Sequence, residues 1–115
     1  MTEFHSRVVG VTARNPDGMD RQDYIQTYCK PNMRLILKRE PDNPHDPNAV
    51  GVWIKARALL IFTSEVQIGH LSRDVAEQVA DHMDSGGRVK ARIVKVTGGT
   101  RKKTTCGVNI LLTLQ

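Results

Sequence analysis

The sequence of this 115-residue chain predicts a mainly β fold: a small OB-like or SH3-like β-barrel of about six strands with two flanking helices. Short apolar or alternating segments recur along the chain, turn residues separate them, and only one segment has a clear helical period. Many short strands joined by turns are typical of antiparallel sheets and barrels. Without internal repeats or linkers, residues 1–115 are expected to form a single domain.

The first strand is predicted over Phe4–Ala13, which is rich in β-branched residues. Gly10 within it indicates a bulge or a close backbone approach. The turn residues Asn15–Gly18 follow, and Asp20 can cap a short helix over residues 20–28. The expected buried side of this helix carries Tyr24, Ile25 and Tyr28.

The middle of the chain predicts further short strands, at residues 33–39, 49–55, 59–62 and 66–71. In the first of them, Leu35 and Leu37 face one way while Arg34 and Lys38 face the other. Trp53 is expected on the face opposite its apolar neighbours, where it can be exposed.

The longer helix is predicted over residues 72–84, with Ser72 as its N-cap and Gly86–Gly87 as its stop. Valine, alanine and methionine side chains at a spacing of three or four form its apolar stripe. The strand that follows, 88–96, alternates basic and apolar residues, and Ile93–Val94 breaks the phase, so a β-bulge is expected there. A last strand over 108–114 has a strict period of two.

The segment Arg39–Val50, REPDNPHDPNAV, is the strongest functional signal in the chain. It lies between two predicted strands and is longer than the two to five residues of an ordinary hairpin turn. Its three prolines restrict the backbone, so the loop is pre-shaped and its polar side chains are ordered at little entropic cost. Such loops commonly bind a ligand.

The charge of the chain is unevenly distributed. Residues 1–85 hold ten Lys/Arg against twelve Asp/Glu, whereas residues 86–115 hold seven Lys/Arg and no acid. A basic C-terminal third can face a polyanion, or its cations can serve solubility and the protection of strand edges. Cys29 and Cys106 are too few for a disulfide framework and are expected to be buried thiols. No membrane span or signal-peptide core is present, so a cytoplasmic protein is expected.

The sequence offers little evidence of catalysis. It lacks a nucleophile elbow and a phosphate-binding loop, and its four histidines have no metal-ligand spacing. His45, Asp46 and His70 could form a metal or acid–base site, but an adjacent His and Asp in a turn more often bond the local backbone. We therefore expect no enzyme, no cofactor and no metal.

The longer helix carries four acids, which argues against reading of a duplex groove by that helix. Single strands are held by basic surfaces and stacking aromatics, and this chain has the former but few of the latter.

The segments REPDNPHDPNAV and IGHLSRDVAEQVA, followed by a valine-rich strand that ends in Gly98–Gly99, resemble the HIRAN domain. That module occurs alone in bacteria and phages and fused to Swi/Snf-type helicases in eukaryotes. The resemblance covers nearly the whole chain from Phe4 onward. It implies an OB-like barrel that binds DNA, in the best-understood members at an unpaired 3′ end.

The resemblance also assigns roles to particular residues. Asn43 and Asp46 match the loop that closes around the terminal nucleotide, and Asp46 would accept a hydrogen bond from the 3′-hydroxyl. His70 and Arg73 match positions that approach the DNA backbone, the latter in the first helical turn, where anions are favoured.

The chain departs from the end-binding members at three places. His45 replaces a tyrosine, Thr12–Ala13 replace a basic–aromatic pair, and the loop Thr100–Lys103 lacks an aromatic residue. Stacking is worth about 1–3 kcal/mol per base, so these losses would weaken binding. Arg14 would compensate by placing its guanidinium on a base.

The leading hypothesis is a non-enzymatic module for single-stranded DNA or 3′ DNA ends, acting in DNA repair or fork processing with a DNA-processing protein as a further partner. Its predicted DNA-binding residues are Arg14, Asn43, His45, Asp46, His70, Arg73, Arg101, Lys102 and Lys103. The alternative is a protein-interaction module that accepts a peptide strand at the barrel edge. A metal-dependent hydrolase is a third hypothesis.

Overall fold

The structure is a computed structural model that describes residues 1–59 and 62–115. Its six strands form a closed antiparallel barrel in the order β1-β4-β3-β2-β5-β6, which confirms the predicted mainly β barrel with two helices. The elements are β1 Thr2–Val9, α1 Arg21–Tyr28, β2 Arg34–Arg39, β3 Val50–Leu59, β4 Phe62–Leu71, α2 Arg73–Asp84, β5 Val89–Thr97 and β6 Gly107–Leu114.

The barrel has three extended ladders and two short seams. The pairs β3–β4, β5–β6 and β1–β6 run most of the length of their strands. In contrast, β1 meets β4 only at Val8↔Leu71 and Val9↔His70. The second seam joins β2 to β5 through Arg34↔Arg92 and Leu35↔Ala91. The first seam includes the polar residue His70, and the second includes Arg34 and Arg92.

The core lies inside the barrel and beneath α2. Because side chains alternate across a strand, Val108, Ile110 and Leu112 of β6 all point inward and are fully buried. The apolar stripe of α2 closes the barrel with Val79 and Ala80, which are also fully buried. The longest described helix has 12 residues, and no helix in the described part of the chain is long and apolar enough to cross a membrane.

The strand predictions hold for most of the chain, with two differences at β1 and β4. The bulge expected near Ile93–Val94 is confirmed by a register shift between Ile93 and Lys95. The first strand is shorter than predicted, because Gly10 has a φ of 70° and opens a turn. Thr63–Glu65, expected to separate two strands, lie inside β4. The predicted strand 59–62 includes residues 60 and 61, which lie outside the described residues.

Both predicted helices are present, and their caps differ. The Asp20 carboxylate accepts a hydrogen bond from the Gln22 amide at 3.0 Å, as expected for an N-cap. Ser72 occupies the N-cap position of α2 but makes no side-chain capping hydrogen bond. The buried side of α1 is Ile25 together with Arg21, whereas Tyr24 and Tyr28 are only half-buried.

Replacing Gly69 with alanine should destabilise the protein strongly. An added Cβ at Gly69 would clash with the Val9 carbonyl oxygen and a Val8 methyl group at the β1–β4 seam. Since backbone cannot move aside as a flexible side chain does, we expect a loss of about 2–3 kcal/mol in the free energy of unfolding, measured with urea.

Gly86→Ala is the matched control. Gly86 has a φ of 87° but no neighbouring atom within 4 Å of an added Cβ, so only the backbone strain of about 1–2 kcal/mol applies. A Gly69→Ala variant as stable as the wild type would contradict the close approach at the seam.

Candidate nucleic-acid interface

The proline-rich loop, residues 40–49, is closed by its own backbone. The Glu40 amide donates to the Ala49 carbonyl at 2.9 Å, which continues the β2–β3 ladder into the loop. Two turns follow, with Asn43 N–H donating to the Glu40 carbonyl and Ala49 N–H to the Asp46 carbonyl, each at 3.0 Å. The loop therefore has a defined conformation, as its three prolines predict.

The side-chain amide of Asn43 makes hydrogen bonds within the proline-rich loop. Its Oδ1 accepts hydrogen bonds from the amides of His45 and Asp46, at 2.9 and 3.2 Å. Its Nδ2 donates to Glu40 Oε1 at 3.0 Å. Both ends of the Asn43 amide are thus engaged within the loop, so this residue positions its neighbours.

Asp46 lies where the loop meets the first turn of α2. Its side chain is 18% exposed, and Oδ1 accepts the Asn48 amide at 2.9 Å. Oδ2 lies 3.8 Å from Arg73 Nε, and Arg73 Nη2 donates to the His45 carbonyl at 2.7 Å. The guanidinium therefore joins the loop to α2 and stands beside the second carboxylate oxygen, while the His45 residue is exposed.

His70 joins the loop to the barrel. Its Nε2 lies 3.1 and 3.0 Å from the two carboxylate oxygens of Glu40 and 3.3 Å from Gln67 Nε2. Burial raises the pKa of Glu40, but hydrogen bonds from Asn43 and His70 outweigh it and hold the pKa below its ordinary value. Glu40 is thus a carboxylate shared between the loop and β4. Sequence reasoning missed it because its partner lies thirty residues away.

A buried polar network continues from Gln67 to the loop that follows β1. The Gln67 carbonyl accepts from Asn15 Nδ2 at 2.9 Å, and Asn15 Oδ1 accepts from Arg21 Nε at 2.8 Å. Arg21 Nη1 then donates to the Gly10 carbonyl at 2.9 Å. Burial lowers the pKa of Arg21, against an opposing effect of Glu40. The sequence gives no signal for this network, since a lone arginine in a helix usually faces solvent.

Gln22 extends the framework to the basic loop before β6. Its Nε2 donates to the carbonyls of Val11 and Cys106, and its Oε1 accepts the Cys106 amide at 2.8 Å. The structure thus connects three loops, 10–20, 40–49 and 98–106, through side chains of α1 and β4.

The predicted site residues fall into two groups. Hydrogen bonds directly join Asn43, His45, Asp46 and Arg73, and Glu40 adds His70 to them. Arg14 is exposed and donates to the Gly18 carbonyl at 2.9 Å, while residues 101–103 form an exposed turn closed by Thr100. No hydrogen bond or ion pair within the described residues joins this second group directly to the proline-rich loop.

One face of the Trp53 ring is covered by a cation. The ammonium group of Lys38 lies 4.0 Å from the centre of its ring and also pairs with Glu65 at 2.7 Å. A cation held over an aromatic face is a favourable arrangement, so a nucleobase would have to displace it.

The two thiols are only partly as expected. Cys106 is buried, but Cys29 is half-buried, and burial followed by the proximity of Cys106 raises the pKa of Cys29 to about 12. The described part of the chain contains no group of three or more His, Cys, Asp or Glu side chains that could hold a metal ion.

Comparison with known proteins places this architecture in a family. The model of the HIRAN domain family matches residues 4–115, and the chain therefore belongs to the HIRAN domain family. This family is known for a DNA-related function, and membership implies nucleic-acid binding in general.

Two solved structures share the fold. The HIRAN domain of human HLTF matches with 19% identity and a TM-score of 0.63, over 97% of this chain and 74% of that chain. A protein from Lactobacillus plantarum matches with 21% identity and a TM-score of 0.64, over 96% of this chain and 98% of that chain. No curated protein matches this chain significantly.

The stability of the protein should depend on pH through Glu40. Because the folded-state pKa of Glu40 lies below its ordinary value of 4.5, its contribution is present above that pH and is lost as the pH falls through the folded pKa. We expect the wild type to lose stability below pH 4.5, as measured by urea unfolding at several pH values.

Glu40→Gln should be less stable than the wild type at neutral pH and show a shallower loss on acidification. Asp42→Asn, an exposed change in the same loop, serves as the control and should retain the wild-type profile. Identical pH profiles for Glu40→Gln and the wild type would show that this carboxylate does not secure the loop.

Proposed function

We propose that this protein is a non-enzymatic module that binds single-stranded DNA, preferentially at a 3′ end, and that it acts in DNA repair or replication-fork processing. The observation that carries the proposal is the position of Asp46. A largely buried carboxylate sits in a rigid loop, 3.8 Å from a guanidinium and next to a helix N-terminus. Family membership supplies the class of ligand.

The carboxylate would distinguish a strand end from continuous backbone. A terminal hydroxyl can donate a hydrogen bond to Asp46 Oδ2, which lies 3.8 Å from Arg73 Nε and accepts no hydrogen bond from the described residues. A 3′-phosphate or an internal phosphodiester brings negative charge to the same place and is repelled. The rigid loop supports this role because a carboxylate that could turn away would not discriminate.

Cationic and dipolar groups beside Asp46 would hold the adjacent phosphate. Arg73 is largely exposed and begins α2, whose first-turn amides receive no side-chain cap from Ser72. Uncapped amides at a helix N-terminus favour anions. His45 would contact the terminal base or sugar, and His70 supports the pocket through Glu40.

The remaining candidates would act further along the strand. Arg14 and residues 101–103 are exposed and lie on loops that the Gln22 framework joins. They would contact phosphates beyond the terminal nucleotide and form the rim of the binding surface.

The protein-interaction alternative receives less support from the fold. Peptide-strand addition requires an unpaired strand edge. All six described strands are paired on both sides in a closed barrel, and only the short seams leave edge groups unpaired.

Asp46→Asn should remove the preference for a 3′-hydroxyl. Asparagine keeps the oxygen that accepts the Asn48 amide, so the turn is retained while the charge is lost. By fluorescence anisotropy on oligonucleotides that differ only in the 3′ group, the wild type should favour hydroxyl over phosphate by about tenfold or more, and the variant by about twofold or less.

Asp42→Asn removes an equal charge from an exposed position of the same loop and should keep the wild-type preference. Asp46 is not the discriminating group if Asp46→Asn still binds the 3′-hydroxyl oligonucleotide more tightly than the 3′-phosphate one. The same conclusion follows if Asp42→Asn binds the two oligonucleotides equally well.

Binding should also weaken as salt increases. Three or four phosphate contacts predict a slope of about −2 to −3 in a plot of log affinity against log salt for single strands. Arg73→Gln should reduce the magnitude of the slope by about 0.7, since one contact is lost. A flat salt dependence of the wild type would contradict binding through phosphates.

A further inference from the structure

A second basic surface lies on the outer face of the barrel, on strands β1, β2, β5 and β6. Cross-strand partners in an antiparallel sheet point to the same face, so the register defines its rows. One row runs across four strands, as Arg34↔Arg92, Arg92↔Leu111 and Leu111↔His5. Leu35 and Ala91, the neighbours of this row along β2 and β5, are buried, which places the row outside.

Two flanking rows add further cations. Lys90 pairs with Thr113, which pairs with Glu3, and Lys95 pairs with Asn109, which pairs with Arg7. We call these three rows the basic sheet face. Its exposed basic side chains are Arg7, Arg34, Lys90, Arg92 and Lys95, with His5 beside them.

Acidic groups on this face do not neutralise it. Its single acid within the paired rows, Glu3, accepts a hydrogen bond from the Thr113 hydroxyl at 3.1 Å. None of the ion pairs among the described residues includes a cation of the basic sheet face. Arg92 makes one neutral contact, to the Asn32 side-chain oxygen at 3.2 Å.

The centre of the face is concave. The β2–β5 ladder stops after Leu35↔Ala91, and the strands diverge there to leave a cavity of about 320 Å³. Arg34, Lys90 and Arg92 surround it, and its apolar lining includes Leu35, Val89 and Leu111. Such a cavity suits a nucleotide, because cations can bind its phosphate and apolar side chains can pack against its base.

The protection of strand edges does not by itself explain the cations of this face. Lysines often protect exposed strand edges, and Lys90 lies just past the end of the β2–β5 ladder, but Arg34 and Arg92 are paired within it. Arg34 and Arg92 are direct cross-strand partners, an arrangement that costs stability because like charges repel. A bound polyanion would relieve that repulsion.

We propose that the basic sheet face is a second nucleic-acid subsite, which holds the backbone of single-stranded DNA with Arg34, Lys90 and Arg92 and accepts a base in the cavity. The proposal rests on the proposed function for its ligand class. Binding to the basic sheet face requires no strand end, so this subsite and end recognition at Asp46 can be tested separately.

A small circular oligodeoxythymidine has no end, so its binding is independent of end recognition. The wild type should bind it with a marked salt dependence, measured by fluorescence anisotropy. Arg34→Gln/Arg92→Gln should weaken that binding and reduce the magnitude of the salt slope by about 1.4, since two phosphate contacts are lost. The same double variant should retain the wild-type preference for a 3′-hydroxyl on linear oligonucleotides.

Lys55→Gln/Arg57→Gln is the matched control. It removes two exposed cations from β3, where Lys55 faces Glu65, and should leave binding of the circle unchanged. Folding is checked by thermal melting, in which Arg34→Gln/Arg92→Gln should not lower the Tm because a repulsive pair is removed.

The outcomes separate the two proposals. The sheet subsite is overturned if the wild type does not bind the circle, or if both double variants weaken binding of the circle equally. End recognition is tested separately by the comparison of 3′-hydroxyl and 3′-phosphate oligonucleotides. If the circle binds through Arg34 and Arg92 but linear strands show no end preference, the sheet subsite holds and end recognition fails.

Discussion

The Glu40 carboxylate is the constraint on which the candidate site depends. It accepts from Asn43 in the proline-rich loop and contacts His70 on β4, so one side chain fixes the loop to the barrel wall. The barrel makes room for it at Gly51, where an added Cβ would lie 2.5 Å from Glu40 Oε2. The loop is therefore held from both sides, by its prolines through the backbone and by Glu40 through the barrel.

Much of the fold could be predicted because its signals are local. The period of two in β6, the phase break at the β5 bulge and the cap at Asp20 each involve residues close in sequence. The break predicted at Thr63–Glu65 was wrong. These three residues are polar, but they are exposed positions within the paired strand β4.

The site was predictable only in part, for a physical reason. The loop residues Asn43, His45 and Asp46 were found because prolines mark a pre-shaped segment, and kinship added His70 and Arg73. The groups that position them were not found, since Arg21, Asn15 and Gln67 interact across the barrel and show no spacing pattern. The basic sheet face also depends on strand order, which places residues of β2, β5, β6 and β1 side by side.

We predict a protein with a discriminating pocket at one loop and a cationic sheet that binds continuous DNA backbone. Backbone-amide NMR during titration with a short single-stranded DNA that ends in a 3′-hydroxyl tests the pocket most directly. The largest shifts are predicted at the amides of Asn43, His45, Asp46, Asn48 and Arg73, with little change at residues 63–65 in β4. Unchanged amides at these loop residues alongside clear shifts elsewhere would contradict the placement of a strand end beside Asp46.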